Sequence, residues 1–164
     1  VLSSSINKER ARSAANQFAG DLREARIRSI EKHTSHGLSY NYGSNQYNVF
    51  MDTDSDLIFE PDDGEIELTK RDVGKDYLKV TAKRPDSNPA SVLRLGFDVR
   101  GFPLQQDSIL FLSQNAADPS ISGCPNNDCC RTLSSQNGPS CGDEFCCAVC
   151  VSYGEIKVTC NDDY

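Results

Sequence analysis

The hydrophobic period of the chain changes once, at Gly37, and that change decides its class. Before it, Ala11, Ala14, Ala15, Phe18, Leu22, Ala25 and Ile30 fall close to the i, i+3, i+4, i+7 pattern, with Ser13, Asn16, Arg23 and Arg28 turned the other way. This is the pattern of an amphipathic helix. It is expected over residues 3–33, and at 1.5 Å per residue it would be roughly 45 Å long. A domain of this size does not need so long a helix for its own core, so the first two turns are expected to protrude. After Gly37 the period becomes two. Leu38, Tyr40 and Tyr42 alternate with Ser39 and Asn41, Gly43-Ser44-Asn45 supplies a turn, and Tyr47, Val49 and Met51 alternate on the return, which reads as a β-hairpin. A loop at 52–63 and strands at 64–70, 77–82, 91–99, 107–113 and 150–160 are expected beyond it; Pro85, Pro89 and Pro103 fall between these runs, where a missing N–H costs no ladder bond. The sum is an α+β fold, a long N-terminal helix packed on one antiparallel sheet or a pair of them. The whole of 1–164 is read as one domain: helix to residue 33, sheet over 37–113 and 150–160, and an insertion at 114–149.

That insertion is where the thiols gather. All eight cysteines lie between Cys124 and Cys160, and two units of the same form recur, Cys124 to Cys129-Cys130 and Cys141 to Cys146-Cys147, with Cys150 and Cys160 completing the set. A clustered, even number of cysteines in a segment rich in Ser, Asn and Gly reads as a disulfide framework formed in an oxidising compartment, the periplasm or the cell exterior. A chain of this length buries about two-thirds of its unfolded surface without bridges, so the cysteines staple one region and are not what makes the domain fold. Zinc sites favour two C-x-x-C pairs, and only Cys147 and Cys150 have that spacing; the rhythm of iron–sulfur ligands is absent too. No metal or cofactor is expected. Neighbouring cysteines should bond elsewhere than to each other, some bridges should join the two units, and Cys160 should tie the insertion to the sheet; the full pairing is left open. With all eight thiols oxidised, the intact mass should fall about eight hydrogens below that of the reduced chain, whereas free thiols carrying zinc or iron would contradict the framework.

A net charge of −7 disfavours nucleic acid as a partner, because that affinity rests on cations neutralising phosphates. The one dense basic run, Lys8 to Arg28, is interleaved with Glu9, Asp21 and Glu24 and reads as a solvated helix face. His33, His36 and Gly37 are taken to end the helix, the imidazoles meeting its dipole and not a metal. Asp52, Asp54 and Asp56 open like a calcium loop, but Leu57 stands where the glycine belongs and Asp63 where the bidentate glutamate belongs. An acidic inter-strand loop is the better reading, with Asp62, Asp63 and Glu65 close in sequence. The serines have no histidine partner in a nucleophile motif, and no glycine-rich phosphate loop follows a strand; an enzyme is not expected. No run of about 18 apolar residues and no signal peptide occurs, so a leader is removed or an anchor precedes this chain.

The helix stretch from Arg12 to Arg26 contains Asp21-Leu22-Arg23-Glu24-Ala25-Arg26, with Ile30 four further on, then Leu38, Tyr47 and Asp52. In that order it resembles the start of the soluble part of the GspH/FimT family, the H-type minor pseudopilins of type II secretion and the related minor pilins of type IV pili. Leu95 to Gly101, Ile109 to Leu112 and Val151 to Val158 are similar to the later strands of that family, so the resemblance covers roughly 1–113 and 150–160. It implies a pilin-like fold in a periplasmic, inner-membrane-anchored filament subunit. The anchor would be an apolar segment ahead of this chain, processed by a prepilin peptidase. Partners would be other pilins or pseudopilins, with secreted cargo a further one, and Ala11, Ala14, Ala15, Phe18, Leu22, Ala25 and Ile30 would pack on the sheet and on neighbouring subunits. The cysteine-rich insertion is outside the general pattern of that family. Other readings are a type IV or DNA-uptake minor pilin, against which the acidic end Asn161 to Tyr164 argues for the DNA variety, and a secreted, disulfide-stapled binding module.

Overall fold

Helix α1 (Leu2–Lys32) runs for 31 residues without a proline and with one glycine. The computed structural model describes residues 2–84, 91–113, 145–153 and 155–161. The helix stops at His33, whose left-handed φ of 51° places it where helices hand over to the next segment. His36 and Gly37 do not take part in that stop: both belong to the first strand. Ala11, Ala14, Ala15, Phe18, Leu22 and Ala25 form the buried stripe, lengthened by Asn7, Ala19 and Ser29. Ile30 departs from it and is 45% exposed. Ser5 and Ile6 are exposed and Asn7 is buried, so contact with the sheets begins within the second turn, sooner than its length suggests. Gly20 faces solvent mid-helix, and a Cβ there would meet nothing within 4 Å. Gly20→Ala is therefore expected to stabilise the domain by about 0.5–1 kcal/mol, through the unfolded chain's lost freedom. A raised denaturant midpoint at unchanged m would register it.

Two four-stranded antiparallel sheets flank the helix. The first contains β1 (His36–Asn41), β2 (Gln46–Met51), β3 (Ile66–Asp72) and β5 (Val92–Phe97) in the order β3-β2-β1-β5; the second contains β4 (Val80–Lys83), β6 (Asp107–Ser113), β7 (Cys146–Ser152) and β8 (Glu155–Cys160) in the order β4-β6-β7-β8. The expected hairpin is β1–β2, with Leu38 opposite Val49 and Tyr40 opposite Tyr47. β6 occupies the expected 107–113, whereas the stretch expected as one strand at 150–160 is two, and β7 begins at Cys146 inside residues assigned to the insertion. A one-turn helix α2 (Val73–Asp76), capped by the Asp72 carboxylate accepting from the Lys75 N–H, was not legible from the pattern.

The core lies between helix and sheets. Leu38, Tyr40, Tyr47, Val49, Leu93 and Leu95 enter from the first sheet, and Ile109, Phe111, Cys147, Val149 and Val151 from the second. Phe18 sits where the two meet, its ring centroid 5.1 Å from Tyr47, 6.0 Å from Tyr40 and 5.5 Å from Phe111. Asn45, at φ 55° in the β1–β2 turn, crosses from one sheet to the other. Its amide donates to the Val80 carbonyl at 2.9 Å, and its oxygen accepts from the Tyr40 hydroxyl and the Ala82 N–H.

Cys147 and Cys160 are directly opposite on β7 and β8 and form a disulfide across a Cα separation of 4.1 Å. Cys160 thus bonds a residue of the stretch expected as the insertion, as its place in the last strand had suggested, but Cys147 lies on β7, so the bridge staples the closing hairpin. Cys147 bonds away from its neighbour Cys146, which is itself disulfide-bonded, and as a bridge member it is no longer a thiolate for the C-x-x-C spacing with Cys150, itself buried. Cys124, Cys129, Cys130 and Cys141, residues 114–144 of the insertion, Pro85 and Pro89 lie outside the described residues. The bridge closes a sequence separation of 13, so Cys147→Ser/Cys160→Ser should cost about 2–3 kcal/mol. Chemical unfolding with the other cysteines still oxidised measures that loss.

Candidate functional site

The helix carries three consecutive residues that reach three different parts of the fold. Asp21, buried, accepts from the Tyr47 hydroxyl of β2 at 2.7 Å, from Arg71 Nε of β3 at 3.1 Å and from the Gln17 amide at 2.9 Å. Leu22 is fully buried in the core. Arg23 turns to the second sheet and donates to the Ile156 carbonyl of β8 at 2.9 Å. Successive residues on a helix point about 100° apart, following from 3.6 residues per turn, so an acid, an aliphatic and a base in a row can hold one sheet, fill the core and hold the other. Burial, and after it the bond to the Asp21 carboxylate, push the Tyr47 hydroxyl up and keep it a donor; the bond to Asp21 likewise raises Arg71.

The basic run is thus more than a solvated face. Besides Asp21 and Arg23, the Lys8 ammonium and the Arg12 guanidinium each lie 5.6 Å from the Phe145 ring centre, in the range of a cation–π contact. Glu24–Arg28 at 2.7 Å and Glu9–Arg12 at 3.6 Å are the exposed helical pairs that the spacing predicts. Away from the sheets the helix keeps Ile6, Ile27 and Ile30 in solvent. Beside Ile30 lies the turn at Gly101, with φ 78°, where a Cβ would come 2.8 Å from the Ile30 Cδ1.

The acidic loop folds back over the outer side of the first sheet. Leu57, which displaces the glycine of a calcium loop, is buried there: Gly96 lies beneath it, so close that a Cβ would fall 2.2 Å from a Leu57 methyl. Gly37 makes the matching space for the Phe50 ring, and the Phe59 ring lies against Phe50 with centroids 5.4 Å apart and planes tilted by 48°. The carboxylates hold the loop's own backbone: Asp52 accepts from the N–H groups of Ser55 and Leu57, and Glu65 from those of Thr53 and Glu60. Burial pushes the Asp52 carboxyl up to about 6, against those two bonds. Asp52, Asp54 and Glu65 bring oxygens together, while Asp62 and Asp63 lie in a 3-10 turn at Pro61–Asp63. His36 is buried on β1 with Nδ1 2.8 Å from the Thr34 carbonyl, and burial lowers its imidazole; His33 is exposed at the helix stop.

No helix among the described residues is long and apolar enough to cross a membrane. No family model and no curated protein matches the chain. Solved structures do: that of the minor pseudopilin EpsH from the type 2 secretion system of Vibrio cholerae, at a TM-score of 0.55 and 10% identity over 90% of this chain and 94% of that one, and that of the type IV minor pilin FimU of Pseudomonas aeruginosa, at 0.53 and 14% over 90% and 87%. At those identities the likeness is one of fold. The order of one long helix, a hairpin sheet and a second sheet closed by a terminal hairpin is therefore the pilin-like fold that those two structures share.

Proposed function

We propose that this chain is a minor pseudopilin, a non-enzymatic subunit that enters a type II secretion pseudopilus through its helix and leaves the sheets and the cysteine-rich insertion facing outward. The supporting observation is that the helix spends one side on its own two sheets and still exposes Ile27, 54% open, and Ile30, 45% open beside the Gly101 turn. Isolated exposed aliphatics are ordinary, but on the long helix of this fold they are what a neighbouring subunit would cover. In this reading an apolar segment ahead of Val1 sits in the inner membrane before assembly, the domain lies in the periplasm, and the partners are other pilins, with secreted cargo as a further contact. Ala11, Ala14, Ala15, Phe18, Leu22 and Ala25 hold the helix in its domain, and Ile30 serves the assembly.

The test is Ile27→Arg in the full-length subunit, produced with its companion pilins. Domain stability should change by no more than about 0.5 kcal/mol, as for exposed substitutions generally, while cross-linking to the other subunits is lost. Undiminished cross-linking would reject the helix as the assembly element. The likeness to a type IV minor pilin supports a second reading, assembly into a pilus. Deleting the gene separates the two: lost export of secreted enzymes marks the first, lost pili with normal export the second.

A further inference from the structure

The outer side of the first sheet carries an open groove of about 420 Å³ that the assembly reading does not use. Its floor is a straight row across all four strands, Lys70 on β3, Asn48 on β2, Ser39 on β1 and Arg94 on β5, each directly opposite the next. Three strand spacings make that row about 14 Å long. The loop after β2 forms one wall with Ile58 and Phe59, and the Phe59 ring is held against buried Phe50. Among the described residues, none gives a hydrogen bond or ion pair to the side chains of Lys70, Asn48, Ser39 or Arg94.

Those side chains state what would fit. A hydroxyl and an amide at the centre both donate and accept, as the hydroxyls of a sugar require. Among the residues that line the groove two cations flank them and one, Glu67, is a carboxylate, so the floor, unlike the acidic loop that walls it, carries positive charge in a chain of net charge −7. A protein segment suits the place less well. The backbone of β1 and β2 is already paired on both sides, so a strand could be added only at the outer edges of β3 or β5, beside the groove and not along its floor, and the floor has no apolar hole for the aromatic or aliphatic anchor that protein interfaces use. We propose that this groove binds a carboxylate-bearing oligosaccharide, with Ser39 and Asn48 on its hydroxyls, Arg94 and Lys70 on its acid groups, and the Phe59 ring along one sugar face. The inference stands apart from filament assembly and survives or fails without it.

The probe is a linear tetramer of galacturonic acid, titrated into isotope-labelled protein and followed by amide and side-chain NMR shifts. Saturable shifts are expected at Ser39, Asn48, Lys70, Arg94 and Phe59. Maltotetraose, equal in length and uncharged, should bind at least about tenfold more weakly, and Lys70→Gln/Arg94→Gln should weaken the acidic tetramer by about tenfold or more, as loss of charge-assisted bonds implies. Both substituted side chains are partly or fully exposed, and an unchanged spectrum elsewhere verifies the variant's fold. An absence of shifts at millimolar tetramer, shifts elsewhere on the surface, or full affinity in the double variant overturns the proposal. So does equal binding of a tetraglutamate peptide, which would mean simple ion exchange.

Discussion

Phe18→Ala is expected to lower the stability of the domain by about 3–5 kcal/mol, the cost of removing a buried aromatic ring and leaving its space unfilled. In thermal unfolding that is a drop of about 8–15 °C for a chain of this length. The ring is fully buried and borders Tyr40 and Tyr47 of the first sheet and Phe111 of the second, so its loss opens the one place where helix and both sheets meet. Tyr40 cannot lean into the gap freely, since its hydroxyl is engaged with Asn45, which in turn holds β4. The site should therefore collapse little, which puts the cost toward the upper end. Phe18→Leu, which retains much of the volume, should cost less than half as much. If alanine proves no worse than leucine, the ring is not the seam's keystone.

Local patterning carried the elements, and non-local bonding escaped it. Ala11 to Ala25 could be placed because three-and-four spacing says which way each residue points, and β6 because Ile109 to Leu112 is bounded by turn signals. Ile30 stands five residues after Ala25, off that spacing, where Ser29 holds the buried position; it faces the Gly101 turn at the margin of the sheets and stays half open. β7 and β8 merged into one expected strand because Cys146 to Val151 is buried on both faces; a strand with no solvent side shows no alternation from which to find its ends. Cys160 was expected in the last strand, tying the insertion to the sheet, yet its register opposite Cys147 is fixed by strand pairing, which sequence spacing does not reveal. The acidic loop could be placed between strands from its composition, but not recognised as a cover for the sheet, because the space for Leu57 and Phe50 comes from Gly96 and Gly37, distant in sequence. The outer groove has the same character: Lys70, Asn48, Ser39 and Arg94 are scattered along the chain and become a row only through register.

Asp21 is the place where that non-local bonding can be measured. Its buried carboxylate takes Tyr47, Arg71 and Gln17 at once, so it ties the middle of the helix to two strands of the first sheet. Asp21→Ala should cost about 2–4 kcal/mol. The lower part of the range for a broken buried ion pair applies, because the Arg71 side chain is 39% exposed and can turn to water, whereas the Tyr47 hydroxyl is buried and would lose its acceptor. Tyr47→Phe alone should cost about 1–1.5 kcal/mol, since Asp21 keeps Arg71 and Gln17. The double variant Asp21→Ala/Tyr47→Phe removes donor and acceptor together and should lose less than the sum, by about 1 kcal/mol or more. Asp21→Asn is the sharper probe: the amide keeps the shape but brings its own N–H groups against those of Arg71 and Gln17, so it should recover little of the loss. Strict additivity across the cycle, or an asparagine variant as stable as the parent, would mean that the helix is held by its alanine stripe and Phe18 alone, and that the acid at the head of Asp21-Leu22-Arg23 fastens nothing.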